Sequence, residues 1–221
     1  RAVDKRRMDV ILLLGAPGSG KGTAAARLAE RRGFVPVSSG DMLRDAVARK
    51  TPAGAAAQGY MTRGELVPDE LVGRMIGDLL QAGPPDAHYL LDGFPRTVAQ
   101  LELLEKALAS RGGAIAAAVL IEVGDALVTE RIAGRRVCPA CKAVYHVATL
   151  PPKRPGVCDA CGGALVQRAD DRPETIAQRL EVYHRQTAAV IDACAARNLL
   201  TRVDGTGGAD TVAGRILRAL S

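Results

Sequence analysis

The stretch VILLLGAPGSGKGT, residues 10–23, decides the fold that we predict for this chain. Residues 10–14 are all apolar and predict a strand that is buried on both faces. They run directly into an eight-residue loop with four glycines, and a helical pattern follows. Glycine lets successive backbone N–H groups converge on one anion, and the helix presents its positive end to the same point. The stretch therefore predicts a strand, a phosphate-binding loop and a helix.

The spacing of the loop fits the P-loop pattern with one exception. Gly15, four residues, Gly20 and Lys21 follow the pattern, but Gly22 occupies the usual Ser or Thr position and the hydroxyl comes one place later, at Thr23. Lys21 adds a full positive charge to the backbone donors. The alternative is an ordinary glycine-rich turn between a strand and a helix, which the combination of lysine, hydroxyl and helix disfavours.

The composition favours small phosphorylated ligands. The 221 residues suffice for one large domain, and 30 Lys and Arg against 24 Asp and Glu give a formal charge of +6, which suits a polyanionic partner. Nucleic-acid binding usually needs stacking aromatics, but the chain has no Trp, two Phe and four Tyr. No apolar run approaches the roughly 20 residues that cross a bilayer. We expect a cytoplasmic protein with no nucleic-acid or membrane partner.

Strands that alternate with helices predict the rest of the core. Residues 1–9 are interpreted as a basic tail, with Met8 as the expected native start, and residues 10–221 as a single domain. Further strands are expected at 34–37, 88–92, 117–123 and 199–203, and helices at 24–32, 98–111, 125–132 and 210–220. This α/β alternation predicts a five-stranded parallel sheet flanked by helices, with ligands at the carboxyl ends of the strands.

Residues 38–67 are predicted to be a small helical insertion in this core. The sequence SSGD at 38–41 places capping residues ahead of a helical pattern, and Arg44 is expected to project from the same end of that helix. The next helix is expected to begin at Pro68.

The strand at 88–92 ends in Asp92, which Gly93 and Arg96 follow closely. Magnesium prefers one or two carboxylates with phosphate oxygens and keeps several waters, so an acid beside a P-loop is typical of a magnesium site. The alternative is that Asp92 only caps the next turn. Phosphoryl transfer requires the ion near the P-loop, which favours the metal interpretation.

Two CxxC pairs sixteen residues apart predict a metal site: Cys138, Cys141, Cys158 and Cys161. Such pairs fold as knuckles that supply four thiolates to one tetrahedral Zn²⁺. Disulfides are disfavoured in a reducing compartment, and an iron–sulfur cluster remains an alternative. Four protein ligands leave no open position, so the metal is expected to brace its segment without taking part in chemistry. Cys194 is interpreted as a small core residue.

Several motifs together resemble those of adenylate kinases: GAPGSGKGT at 15–23, SSGDMLR at 38–44, LLDGFPRT at 90–97, ERIAGRR at 130–136, VYH at 144–146, RADD at 168–171, VYH at 182–184 and VDGT at 203–206. The likeness covers nearly the whole chain from residue 10. It implies a P-loop NTPase-like sheet with an insertion that binds the nucleoside monophosphate at 38–67 and a lid at 135–172. The cysteine pairs resemble those of the zinc-containing, long-lid members.

The resemblance implies reversible, Mg²⁺-dependent phosphoryl transfer from ATP to AMP, giving two ADP, by a monomer. The catalytic residues that it implies are Lys21, Arg96, Arg135, Arg168 and Arg179. The implied ATP site comprises Gly18, Ser19, Gly20, Lys21, Gly22, Thr23, Arg131, Arg135, Val144, Tyr145 and Gly207. The implied AMP site comprises Ser39, Arg44, Glu65, Leu66, Val67, Gly93, Phe94, Arg96, Gln100, Arg168 and Arg179. Within these sites, Arg131 would lie against the adenine of ATP, Arg44 would bind the AMP phosphate and Gln100 the AMP base.

The arginines suit this reaction, because charge is spread over the transferred oxygens in the transition state and little general-base chemistry is needed. Taken singly, each arginine could instead be a surface charge or an ion-pair partner of Asp170 or Asp171. His146 and His184 have no task in the mechanism and are expected to be structural.

Other functions remain open from the sequence alone. Ser39 also resembles the serine of GTP-using AMP kinases, so GTP is an alternative donor. UMP or CMP is an alternative acceptor, although Gln100 and the Leu66–Val67 pair favour adenine. The residues are also compatible with a P-loop switch protein or with a nucleotide-regulated nucleic-acid-binding module, although the second function lacks stacking aromatics.

Overall fold

The computed structural model describes residues 8–220, apart from the side chains of residues 31 and 32. Seven strands lie in this part of the chain: Asp9–Leu14 (β1), Val35–Ser38 (β2), His88–Asp92 (β3), Ala114–Glu122 (β4), Arg135–Val137 (β5), Val144–His146 (β6) and Leu200–Asp204 (β7). Five of them form a parallel sheet in the order β2-β3-β1-β4-β7, so β1 lies at its centre. The predicted five-stranded parallel sheet is confirmed. Strands β5 and β6 form a separate antiparallel hairpin.

The helices of the described residues are Lys21–Arg32 (α1), Ser39–Ala48 (α2), Pro52–Arg63 (α3), Asp69–Ala82 (α4), Val98–Ala109 (α5), Asp125–Ala133 (α6), Pro173–Val182 (α7), Ala188–Ala196 (α8) and Ala209–Ala219 (α9). A 3-10 turn, Ala169–Asp171, precedes α7, and a π-helical turn, Tyr183–Thr187, joins α7 to α8. Helix α2 is capped as predicted, because the Ser38 side chain accepts a hydrogen bond from the Asp41 N–H. None of these helices is long and apolar enough to cross a membrane.

The central strand divides its side chains between two cores. Val10, Leu12 and Leu14 pack with residues of α4, α5 and α8, and this core also holds Cys194, which is fully buried as predicted. The alternate residues, Ile11 and Leu13, pack with α1 and α9 on the opposite face. Helices therefore cover both faces of the sheet, which explains why residues 10–14 are uniformly apolar.

The predicted tail ends earlier than expected. Met8 is fully buried and Asp9 is the first residue of β1, so both belong to the core, while residues 1–7 of the predicted tail lie outside the described residues. Segment 38–67 contains helices α2 and α3, which pack on each other. Segment 135–172 contains the β5–β6 hairpin and the 3-10 turn.

Candidate active site

Lys21 is the first residue of α1 and folds back onto the loop after β1. Its Nζ donates hydrogen bonds to the carbonyl oxygens of Gly15 and Ala16, each at 2.8 Å. Burial lowers the pKa of Lys21 to about 8, although the nearby Asp92 carboxylate acts in the opposite direction. The loop therefore holds an ammonium group beside the positive end of a helix, which is an arrangement suited to a phosphate chain.

Asp92 lies directly against this loop. It ends β3, and its backbone is paired in register with Leu13 of β1. A Cβ atom on Gly22 would come within 3.1 Å of Asp92 Oδ2, so a glycine at the usual Ser or Thr position leaves room for the carboxylate. The carboxylate is thus placed beside the loop, where a hydrated Mg²⁺ ion would be held.

The segment after Asp92 is fixed by two hydrogen bonds to one carbonyl. Gly93, at φ +77°, accepts from the Ser39 hydroxyl at 2.7 Å and from Arg96 Nε at 2.8 Å. Burial lowers the pKa of Arg96 to about 10, and the neighbouring Arg179 acts in the same direction. The side chain of Phe94 is buried in the core, so only its backbone remains to face a ligand.

Two acids hold the remaining arginines in place. Asp171 is fully buried and accepts from Arg135 Nε at 2.8 Å and from Arg179 at 3.2 Å. Asp170 lies 3.1 Å from Arg179 and 3.6 Å from Arg44. Burial opposes ionisation of Asp170, but these two arginines keep its pKa below the ordinary value. Ion pairs with Asp170 or Asp171 were one of the alternatives for these arginines in the sequence, and such pairs are present in the structure. They bring the arginines together at one place.

Arg168 belongs to the same cluster. It donates to Asp41 at 3.2 Å, and burial lowers its pKa to about 10 with Arg44 and Arg135 as like-charged neighbours. Lys21 is influenced by Arg96, Arg179 and Arg135. Arg168 joins these groups through its neighbour Arg135.

Nine of the eleven residues assigned to the acceptor line one cleft, whereas Phe94 and Arg168 are not among its lining residues. It is bounded by Ser39, Arg44, Glu65, Leu66, Val67, Gly93, Arg96, Gln100 and Arg179. Gln100 is only 2% exposed and lies at the start of α5. The Glu65 side chain pairs with Arg63 at 2.7 Å, which leaves its backbone as the part available to a ligand.

Three residues assigned to the ATP site, Arg131, Tyr145 and Gly207, lie in two places. Arg131 donates to the carbonyl oxygens of Gly205 at 3.1 Å and Gly207 at 3.4 Å, so the structure brings Arg131 and Gly207 together. The Tyr145 hydroxyl instead accepts from the Asp159 N–H at 2.8 Å and lies 3.5 Å from Cys158 Sγ. The Tyr145 side chain therefore supports the cysteine cluster, and its backbone is what could face a nucleotide.

The four cysteines of the CxxC pairs form one compact cluster. Their sulfur atoms lie within 4.8 Å of one another, with 3.4 Å between Cys138 and Cys161 and 3.5 Å between Cys141 and Cys158. All four are free thiols. Metal–sulfur bonds of about 2.3 Å in a tetrahedron place the sulfurs roughly 3.8 Å apart, so this cluster fits a single ion.

The two histidines that were expected to be structural, His146 and His184, have local partners. His146 Nδ1 accepts from the backbone N–H groups of Ala148 and Thr149, and His184 lies 2.9 Å from Asp125.

Asp69 was not foreseen as a site residue, yet it accepts a hydrogen bond from the side chain of Gln100 at 2.7 Å.

The match to known proteins spans most of this fold. The family model described as adenylate kinase matches residues 13–198. A protein of Carboxydothermus hydrogenoformans named adenylate kinase is 47% identical over 210 residues, which cover 95% of this chain and 98% of the relative. Proteins of the same name from Clostridium tetani (47% over 196 residues, 89% of this chain and 91% of the relative) and Lachnospira eligens (44% over 210 residues, 95% and 99%) agree. The chain belongs to the adenylate kinase family.

Proposed function

We propose that this chain performs the reaction of its family, the reversible transfer of the terminal phosphoryl group of Mg·ATP to AMP, with the residues that line this cleft. The observation that carries the assignment is that Lys21 lies near three arginines from separate segments, Arg96, Arg135 and Arg179, with Arg168 beside Arg135. Asp92, Asp170 and Asp171 offset part of this positive charge, and the phosphates of two nucleotides placed end to end would offset more of it.

Each group has a task that follows from its position. The loop N–H groups and Lys21 bind the donor phosphates, replacing the carbonyl contacts that Lys21 makes in the structure. Arg96, Arg135, Arg168 and Arg179 neutralise the charge that spreads over the transferred oxygens, so no strong base is required. Magnesium, when bound with ATP, would add further neutralisation, and Asp92 is placed to hold it through water.

The acids of the cluster prepare the arginines. Asp170 and Asp171 hold Arg179 and Arg135 in defined orientations, so little reorganisation is needed when the phosphates arrive. This preorganisation makes the buried ion pairs part of the catalytic arrangement.

We assign segment 38–67 as the acceptor-binding insertion and segment 135–172 as a lid braced by structural Zn²⁺. Four thiols within 4.8 Å of one another support the metal assignment. A lid has a physical purpose, because water would otherwise compete with AMP for the phosphoryl group. Free thiols also fit a reducing compartment, and we propose a cytoplasmic monomer that acts on ATP, AMP and ADP.

A coupled assay with each donor and acceptor tests the assignment. ATP with AMP should be the best pair, ahead of GTP as donor and of UMP or CMP as acceptor. Lys21→Met should lower kcat by at least about a hundredfold, as expected for loss of a charged group that stabilises the transition state. Lys106→Met, an exposed lysine of α5, is the matched control and should leave the rate unchanged. Wild-type rates with UMP or CMP above those with AMP would overturn the acceptor assignment.

A further inference from the structure

Gln100 is held by two partners that fix which way its amide points. Its Oε1 accepts from the Arg96 backbone N–H at 2.7 Å, and its Nε2 donates to Asp69 Oδ1 at 2.7 Å. A backbone N–H can only donate and a carboxylate can only accept. The two contacts therefore allow one of the two amide orientations and oppose the other.

Asp69 is itself fixed by the start of α5. Its second oxygen accepts from the Thr97 hydroxyl at 2.8 Å, while the Thr97 Oγ1 accepts from the backbone N–H of Gln100 at 3.1 Å. These contacts join the first residue of α4 to the first turn of α5, across 28 to 31 positions of sequence. The carboxylate that faces Gln100 is thus anchored at both oxygens.

The orientation of the Gln100 amide matters because the same amide can form hydrogen bonds with two kinds of purine. With one contact made at each end, Gln100 keeps one free N–H and one free lone pair. The Watson–Crick edge of adenine offers an acceptor at N1 and a donor at its 6-amino group, whereas a 6-oxopurine offers a donor at N1 and an acceptor at O6. An amide that pairs with adenine in one orientation pairs with the 6-oxopurine after a flip of 180°.

We propose that Asp69 is a positioning residue that sets the acceptor specificity: it locks the Gln100 amide in the orientation that pairs with a 6-aminopurine and disfavours a 6-oxopurine. This inference rests on the proposed contact between Gln100 and the acceptor base. In the flipped state, Gln100 Oε1 would face the Asp69 carboxylate and Nε2 would face the Arg96 N–H, so both hydrogen bonds would become repulsive contacts.

The test compares AMP with IMP, which carries the 6-oxo edge without the extra 2-amino group of GMP. Asp69→Asn keeps the shape of the side chain, but its amide can turn to suit either orientation of Gln100. The ratio of kcat/KM for AMP to that for IMP should fall by about tenfold, the factor expected for one hydrogen bond, with the IMP value rising. Asp69→Ala, which removes the partner of Nε2 altogether, should lower the ratio at least as far.

Two further variants make the outcome decisive. Glu70→Gln removes the adjacent, exposed acid of α4 and should leave the ratio unchanged. Gln100→Leu should abolish most of the discrimination. If Asp69→Asn keeps the wild-type ratio while Gln100→Leu loses it, or if Glu70→Gln changes the ratio as much, the role of Asp69 is overturned. An unchanged ratio in Gln100→Leu would instead overturn the proposed contact with the base.

Discussion

The Lys21 ammonium group donates hydrogen bonds to two carbonyl oxygens of its own loop. Two contacts of 2.8 Å hold it there, and burial lowers its pKa to about 8. A bound phosphate would place negative charge beside the ammonium and raise that pKa again. Binding of ATP and protonation of Lys21 are therefore linked.

This linkage predicts a pH dependence of ATP affinity. Below about pH 8 Lys21 is already charged and the Kd for ATP should be nearly constant, whereas above pH 8 the Kd should rise by up to about tenfold per pH unit. Calorimetric titrations from about pH 7 to about pH 9 in buffers of different ionisation enthalpy would detect the proton taken up on binding. Uptake of the same size in Lys21→Met, or a Kd that does not change with pH, would contradict the assignment.

Asp171 accepts hydrogen bonds from two of the arginines that we propose as catalytic, Arg135 and Arg179. Asp171→Asn keeps its shape but weakens its bonds to Arg135 and Arg179, so we expect kcat to fall by ten- to about a hundredfold. Because the carboxylate is fully buried, the change should also cost up to roughly 3 kcal/mol of unfolding free energy. Steady-state kinetics and urea unfolding measure the two effects, and Asp192→Asn on the exposed side of α8 is the control. A kcat within twofold of wild type would contradict the orienting role.

At the scale of elements, the segment that contains the β5–β6 hairpin, residues 135–167, has little core of its own. Its buried cluster consists of Cys138, Tyr145 and Cys158, with Ala143 and Leu165 packed against it. So few apolar side chains cannot offset the entropy of ordering the segment, and a metal held by four thiolates would supply the missing stability.

Removal of the metal should therefore unfold this segment locally. We expect amide exchange of residues 135–167 to accelerate at least about a hundredfold in chelator-treated protein, while the strands of the central sheet keep their protection. Hydrogen-exchange mass spectrometry, with metal content measured on the same samples, tests this. Unchanged exchange in metal-free protein would show that the hairpin needs no ion.

Element prediction from the sequence succeeded where apolar residues are periodic. Strand β3 lies at the predicted 88–92, and the ends of α6 and β7 shift by one residue. No separate helix was predicted at the position of α3. Its buried residues are Gly54 and Ala57, so the sequence shows no apolar stripe there. A Cβ on Gly54 would lie 2.2 Å from the Ala46 carbonyl oxygen, so a close approach to α2 defines this helix. The Thr51–Pro52 pair, an N-cap followed by proline, was the available signal.

Site residues, like secondary-structure elements, were predictable where the signal is a local sequence pattern. The P-loop lysine and Asp92 could be predicted from local spacing, since each belongs to a motif of a few consecutive residues. The cysteine cluster was predictable as well, because two CxxC pairs sixteen residues apart are a recognised pattern of metal sites. The contact between Asp69 and Gln100 joins residues 31 positions apart, and an acid at a helix start is too common to signal a role. Such a contact becomes visible only when the chain is folded.

At the scale of the whole molecule, ion pairs connect segment 135–172, the proposed lid, to segment 38–67, the proposed acceptor insertion. Arg168 lies 3.2 Å from Asp41, and Lys142 donates to Asp45 of α2. Lys142 follows the first CxxC pair at φ +64°, whereas the equivalent residue after the second pair is Gly162 at φ +74°. A lysine in the left-handed backbone region is strained, whereas a glycine there is not. Residue 142 therefore carries some conformational cost, and in return its side chain reaches segment 38–67.

Charge reversal at this contact should favour separation of the lid and the insertion. Lys142→Glu replaces attraction by repulsion, and because the pair is exposed, KM for both nucleotides should rise only about two- to fivefold at low salt and less at high salt. The swapped variant, Lys142→Glu with Asp45→Lys, should restore the wild-type values. Fluorescence energy transfer between dyes on the lid and on α2 reports the separation. Failure of the swap to restore both readouts would show that the ion pair does not govern closure.

One cleft is proposed to hold two nucleotides end to end, and a bisubstrate ligand tests this arrangement most directly. A molecule with two adenosines joined by five phosphates should bind by calorimetry with a stoichiometry of one and compete with both ATP and AMP. Lys21→Met and Arg179→Met should each weaken that binding by at least about tenfold, as expected for loss of a charge-assisted contact to phosphate. Binding of two molecules per chain, or competition with only one of the nucleotides, would contradict the account.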